Sequence, residues 1–595
     1  MSSNAEALRL YAQAVEKLRN FDALGARDLL EQAIRADPQY AMAHSALAEA
    51  WLTLGYDNRA AKEAKRGYES SGALNREQKL LIDGRYHEAS HQWDEAIKAY
   101  RVLFDFYPDN VEYGLRLARS QWEGAKYDDS SGTAQVLAKL PPPTSNDPRI
   151  ALALAKAEFS LGNLALAQKS VASAAEQAKQ NGAVLIVAEA NLLQVGNSSP
   201  SHGLAVDQAH ADEAYRICES VGDLDCAAWA LYRKAFVDDN NAASRPQYEQ
   251  ALQLFTRTGD LRGVANVQIG LGRLSWLHGR DNEARRSFVQ AQATCEKIDD
   301  QSCRWKAILH EGNVFAEAGN MPEAGERFQR AMVIAQKAGE SGGAAWAMAN
   351  LGEVRQLQGD LTQALTLFQN SAEINRQHFG KPGALGMAYA GSALLDQGRL
   401  DDARHILEES LAIAHTYMGE GRDIGNATMT LARVDLAEQR PAEAESKLRT
   451  IVAYRESIDD KQTAAAYNDF LALALLAQGK VTEAQTATAH ARQLLGAKRD
   501  GPWPLHLTIT EARVAVASSP HDAHVVARAL ASVRSVMAQA HKTGMMKLEF
   551  EARVAEGEIE MQSGALTAGR AHLASLGRDA KAKGFELIAR EASRD

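Results

Sequence analysis

The feature that most narrows the fold is a unit of two helices that returns along the whole chain. In its clearest copy, residues 346–374, two stretches of helical periodicity flank a turn at Gln358-Gly359-Asp360. Gly352 puts a small residue where the partner helix has to come close. Ala364 and Phe368, four apart, share one face of the second helix. A single hairpin of this kind leaves an apolar face in water, so it folds only when stacked on copies of itself. Aligning the small residue of the second helix gives Ala26, Ala60, Ala96, Ser130, Ala167, Ala214, Ala251, Ala284, Ala324, Ala364, Ala403, Ala444 and Ala484, then a position near Ala527, and Gly569. Early steps are close to 34 residues, and those from Ala284 to Ala484 are about 40. The pattern predicts an all-α fold, a right-handed α-solenoid of about 15 helix-turn-helix units.

At 595 residues the chain exceeds what one globular core supports, which leaves several domains or a repeat array. Only 6% of it is aromatic although 46% is hydrophobic, as expected where alanine and leucine fill helices. The net charge of −10 is spread along the length with no basic stripe, which argues against nucleic acid or an anionic membrane as partner. No apolar run approaches the roughly 20 residues a bilayer requires, so direct membrane insertion is not expected. The N-terminus lacks the basic start and apolar block of a signal peptide and enters an amphipathic helix at once. From that abrupt entry we expect the native chain to begin upstream of Met1.

Three blocks are expected: 1–145 with 34-residue repeats, 146–240 with an irregular pattern, and 241–595 with repeats of about 40 residues and a terminal cap ending near Arg590. The first seam is Pro141-Pro142-Pro143-Thr144-Ser145-Asn146-Asp147-Pro148, read as an extended spacer. Asp147-Pro148 then supplies a cap and a proline at the first helical position. The second irregularity is a long loop at 196–203.

His87-Glu88-Ala89-Ser90-His91 matches the HExxH string of zinc hydrolases. That chemistry needs both imidazoles on one helical face, a glutamate base between them and a third ligand. Here the string runs into the interhelical turn, where His91 replaces the usual glycine, and no third ligand follows. His202, His521 and His524 lack carboxylates at ligand spacing. No phosphate loop, dinucleotide motif or nucleophile elbow occurs. We therefore expect no catalytic residue, no metal and no cofactor, with a zinc-dependent hydrolase the least favoured alternative.

The cysteines are Cys218, Cys226, Cys295 and Cys303, two pairs of equal spacing. Each pair bridges the end of a second helix to the start of the next first helix, where the roughly 5–6 Å Cα separation of a disulfide is attainable. Equally compatible is a set of four small buried thiols in a reducing compartment.

The runs REQKLLIDGRYHEASHQWDEAIKAYRVLFDFYPDN and PPPTSNDPRIALALAKAE, with Pro38 and Pro108 just past second helices, resemble tetratricopeptide repeats. In particular they resemble the arrays in the C-terminal halves of large bacterial signalling proteins. The resemblance covers essentially the whole chain and implies a sensor half. Its output would be a fused or associated serine/threonine kinase, nucleotide cyclase or winged-helix DNA-binding domain, often with a membrane helix between. No kinase signature is present here. It also implies a groove lined by first helices. By the family's register its candidates are Trp229, Tyr232, Phe236, Asn266, Arg273, Trp276, Lys306, Asn313, Trp346, Glu353, Asn426 and Arg433. Aromatics beside polar groups suit a peptide or helix, although any one tryptophan at helical spacing is more often core.

The expected function is a non-catalytic protein- or peptide-binding module in bacterial signal transduction. A constitutive assembly scaffold and a peptide-pheromone-type receptor are the alternatives. The expected location is cytoplasmic as written, and periplasmic if this is the outer half of a membrane-anchored protein. Because each unit should touch only its neighbours, the array is expected to flex like a spring.

Overall fold

The computed structural model describes residues 4–54, 56–124, 126–196, 203–238, 241–379, 383–417, 422–458, 460–496 and 498–593. Among these residues there are 31 α-helices, three short 3-10 turns and no strand. The helices form consecutive pairs, from Ala5–Arg19 with Ala23–Ala36 to Met546–Gln562 with Leu566–Ala582. A final short helix, Glu586–Glu591, closes the last pair and packs on it through Ile588 and Ala589, while Leu587 joins the cluster around Leu394 and Leu395. The chain is an all-α solenoid.

It divides into two compact units, Met1–Ala307 and Ile308–Asp595. The division falls inside the helix Gln301–Glu317. It marks compactness, whereas the blocks 1–145, 146–240 and 241–595 mark repeat length.

Local chemistry starts and stops the helices. The side chains of Asn75, Asn110 and Asp260 accept hydrogen bonds from the first backbone N–H groups of the helices that follow them, which removes donors a helix start leaves unmatched. Turns within pairs need one residue in the left-handed region. Glycine usually supplies it, as at Gly359, but Phe21, His91 and Gln439 adopt φ of 65°, 53° and 61° at equivalent places.

The ladder of small residues is the buried spine of the stack. Every position from Ala26 to Ala484 is solvent-free or nearly so, and Gly569 is buried. The fourteenth pair departs by two residues: Ala527 is exposed and Ala529 is buried instead. One turn beyond the spine, Tyr100, Phe288, Phe328 and Phe368 are enclosed. Burial of such a side chain is worth roughly 1.5–3 kcal/mol.

Two expectations need correction. The proline seam is no extended spacer. Thr144 N–H donates to the Pro141 carbonyl (3.1 Å) and Asn146 N–H to that of Pro143 (3.0 Å), so the segment folds into tight turns before Asp147 caps the next helix. Nor do pairs touch only their neighbours. In the first unit Asn58 Nδ2 donates to the Lys297 carbonyl (3.2 Å), and Tyr56 packs at Gly259. In the second, Lys547 Nζ lies 2.7 Å from Asp396 Oδ2, and Lys498 Nζ lies 3.3 Å from Glu317. Each unit curls until distant pairs meet, which resists spring-like stretching. The predicted loop at 196–203 falls largely outside the described residues, His202 included. His521 and His524 are exposed.

Candidate functional site

Curling in the first unit turns the first helices of successive pairs inward around a cavity of about 420 Å3. Arg19, Glu49, Arg85, Arg116, Arg149, Glu189 and Trp229 line it, one from each of seven consecutive first helices. The second helices stay mostly outside, contributing only Ala23, Leu24 and Ser130 to the lining, which follows from the spine: their apolar face is consumed by packing within and between pairs.

The inner wall is knitted by ion pairs between first helices. Glu49 lies 2.8 Å from Arg85 and 2.6 Å from Arg116. Arg149 reaches Glu112 (2.8 Å) and Asp147 (2.6 Å), Arg19 also reaches Glu112 (2.9 Å), and Lys156 pairs with Glu189 (2.9 Å). Trp122 Nε1 donates to Ser160 Oγ (2.9 Å). Burial opposes ionisation of Glu49, yet Arg116 and Arg85 hold its carboxyl down at about 2. The same balance, with Arg149 as the main cation, lowers Glu112, and Lys156 lowers Glu189.

At the other end the sign reverses. Asp223 and Asp225 line the cavity at the seventh pair, with Asp260 close behind. Burial raises all three carboxyls, and their mutual charge raises Asp225 further, well above the ordinary range. Asp223 and Asp260 spend one oxygen each on capping the backbone N–H of Cys226 and Gly263.

Of the residues expected in a groove, Trp229 lines this cavity. Its indole also meets Phe255 (5.1 Å between ring centroids) and Tyr232 (5.6 Å), so half of it is core. Tyr232 leads to Phe236 (5.9 Å), and the Arg273 guanidinium sits over the Phe236 ring at 5.1 Å. These four form a continuous line in the first unit. Asn266 and Trp276 are half-buried on the same helix as Arg273, and Lys306 bonds Ser302 Oγ (3.0 Å). The second unit holds the rest of the set. Asn313 accepts from Asn350 (3.3 Å), Trp346 packs edge-on to His310, and Glu353 and Asn426 are half-buried. Arg433 reaches Asp396 at 3.3 Å beneath the Lys547 contact.

The HEASH string is taken up in packing. Glu88 is buried and accepts hydrogen bonds from the Tyr100 hydroxyl (2.7 Å) and Ser120 (3.2 Å). His87 bonds Gln92 (2.7 Å), and His91 sits in the turn with its ring edge-on to Trp93. One cluster with metal-ligand geometry occurs elsewhere among the described residues, Glu556, Glu560 and His572. There Arg534 contacts both glutamates, and His572 Nδ1 contacts Glu560, so each side chain already has a partner within the protein.

The cysteine Cα atoms lie 5.5 Å apart for Cys218 and Cys226, and 5.7 Å for Cys295 and Cys303, with the sulfurs in bonding contact.

Residues 297–454 match the family model described as the MalT-like TPR region. Comparison with curated proteins found no match. Helix pairs stacked in sequence through the rest of the chain are consistent with a tetratricopeptide-like repeat protein. That fold is usually non-catalytic, and it suggests a module for interactions.

Proposed function

We propose that the chain is a non-catalytic recognition module, the sensor or interaction half of a bacterial signal-transduction protein, which binds a protein or peptide partner on its inner helices. The observation that carries this reading is the line Trp229–Tyr232–Phe236–Arg273. It sets aromatic area beside a cation on first helices, at positions the family's register assigns to the groove. Phe236 is 37% exposed although large and apolar, which is the state of a side chain that gains by being covered. A fused or associated kinase, cyclase or DNA-binding domain supplies the output in this reading. No described helix is long and apolar enough to cross a membrane.

The test is crosslinking mass spectrometry on the full chain with partners captured from a bacterial lysate. Crosslinks should map to first helices, and the double variant Phe236→Ala/Arg273→Ala should lose the partner while keeping its helical circular dichroism. Crosslinks confined to second helices, unchanged by that variant, would refute the module as described and favour a constitutive scaffold.

A further inference from the structure

We propose that the cavity of the first unit is a binding site for a small monocarboxylic acid, a carboxylate carried on an apolar body. The proposal rests on reading inner helices as recognition surfaces, and it names a ligand for one of them.

Size is the first argument. A volume of about 420 Å3 falls in the range of small-molecule sites, roughly 300–1,000 Å3, and is small for a folded partner. The curl that brings Asn58 to Lys297 and Tyr56 to Gly259 makes the wall run round the cavity instead of opening it into a long groove.

Charge is the second. The lining carboxylates Glu49, Glu112 and Glu189 each have a cation in contact. Arg119 lines the same wall, is exposed, and forms no hydrogen bond or ion pair among the described residues. Its charge is felt at Glu49, which puts it beside Arg116 and Arg85. Arg85 is 4% exposed, and of its guanidinium nitrogens Nε and Nη1 have no hydrogen-bond partner. Arg85, Arg116 and Arg119 thus share Glu49, with Glu88 a second carboxylate 3.8 Å from Arg116, and planar forked donors of this kind bind carboxylates well.

The third argument is the surface between the charges. Leu18, Phe21, Leu24, Leu152, Leu192 and Trp122 all line the cavity, and Phe21 is 39% exposed in its turn. An aliphatic or aromatic body would cover them.

The far end sets specificity. Asp223 and Asp225 form no ion pair among the described residues and burial already opposes their charge, so a second carboxylate entering there finds no cation to meet it. A monoacid is favoured over a diacid of equal length. Glu123, exposed in the lining one helical turn from Arg119 and in no ion pair among the described residues, weakens the anion site.

The experiment titrates the full chain with octanoate, 1-octanol, octylamine and octanedioate, following tryptophan fluorescence and calorimetric heat. Octanoate should bind and the other three should bind at least tenfold more weakly. Arg119→Ala should cost roughly tenfold in octanoate affinity, the scale of a charged hydrogen bond, and Glu123→Gln should improve it. Arg119 is exposed, so that variant should keep the wild-type melting temperature. Trp122→Phe should reduce the fluorescence change, with Trp229 supplying the remainder. Equal binding of octanol or octylamine, or an Arg119→Ala variant with unchanged affinity, would overturn the site. So would binding of a free peptide C-terminus with no binding of octanoate. In those cases partner capture by the Phe236–Arg273 surface would still stand or fall on its own test.

Discussion

Gly352 presses its Cα against the ring of Phe368: a Cβ built there would lie 2.4 Å from Phe368 Cε1. The ring is fully buried and cannot retreat. Glycine in a helix interior ordinarily costs about 1 kcal/mol relative to alanine. Overpacking a tight core costs about 1–3 kcal/mol, and an overlap this deep puts the site at the upper end. Gly352→Ala should therefore destabilise the second unit by about 1–2 kcal/mol net, measured by denaturant unfolding. Adding Phe368→Leu, with its smaller side chain, should recover part of the loss. A stabilised single variant would show that the helices can part at no cost.

Asp396 joins first helices that are distant in the chain. It accepts from Gln356 (2.6 Å) and Lys547 (2.7 Å) and lies 3.3 Å from Arg433. Asp396→Ala leaves two buried cations without their anion, a change that costs about 3–5 kcal/mol. Lys547→Met leaves the carboxylate with Arg433 and Gln356 and should cost clearly less. Urea unfolding of both variants checks the order, and equal losses would mean that the closing contact, not the buried charge, carries the energy.

The spine was legible because two helices cannot approach closely without a small residue at the crossing, and that demand repeats in every pair. It slipped only where Asp522 caps the helix Ala523–Thr543 and shifts the buried alanine to Ala529. The curl of each unit was not legible. Asp396 and Lys547 are 151 residues apart, and no local pattern pairs them. Trp229 was named from the family's register and lines the cavity, while Glu49, Arg85, Arg116 and Arg119, which also line it, stand in no local motif. A signal for them did exist: Glu49–Arg85, Arg149–Glu112 and Lys156–Glu189 are separated by 36, 37 and 33 residues, about one repeat. Charges of opposite sign one repeat apart on first helices mark a shared inner wall.

His44 provides a pH test in the first unit. Its Nδ1 lies 2.6 Å from Glu63 and its Nε2 lies 3.0 Å from the Pro38 carbonyl, so both nitrogens face acceptors. Burial favours the neutral ring, but Glu63 and the carbonyl outweigh it and raise the pKa above the ordinary 6.5. A raised folded-state value means the stabilisation is complete below 6.5 and fades as pH climbs through the folded pKa. Wild type should lose stability relative to His44→Gln as pH rises above 6.5. At pH 6 the variant should be weaker by about 1.5–3 kcal/mol, the scale of hydrogen bonds to a charged group. A difference independent of pH would mean the ring is neutral throughout.

The cysteine pairs give the last test, because their placement makes redox state and stability inseparable. Cys218 and Cys295 are fully buried at the ends of second helices, and each meets its partner across a turn only eight residues on. A bond there fixes the joint between consecutive pairs and removes loop entropy from the unfolded chain, worth about 2–3 kcal/mol for so short a loop in the entropic account. Protein purified without reductant and then denatured should show almost no reactive thiols, rising to four after reduction. Cys218→Ala/Cys226→Ala should lower stability under oxidising conditions by that amount and cost much less in dithiothreitol, where wild type also loses the bond. Four thiols in the unreduced, denatured protein would mean that close approach alone, with no covalent link, holds these joints.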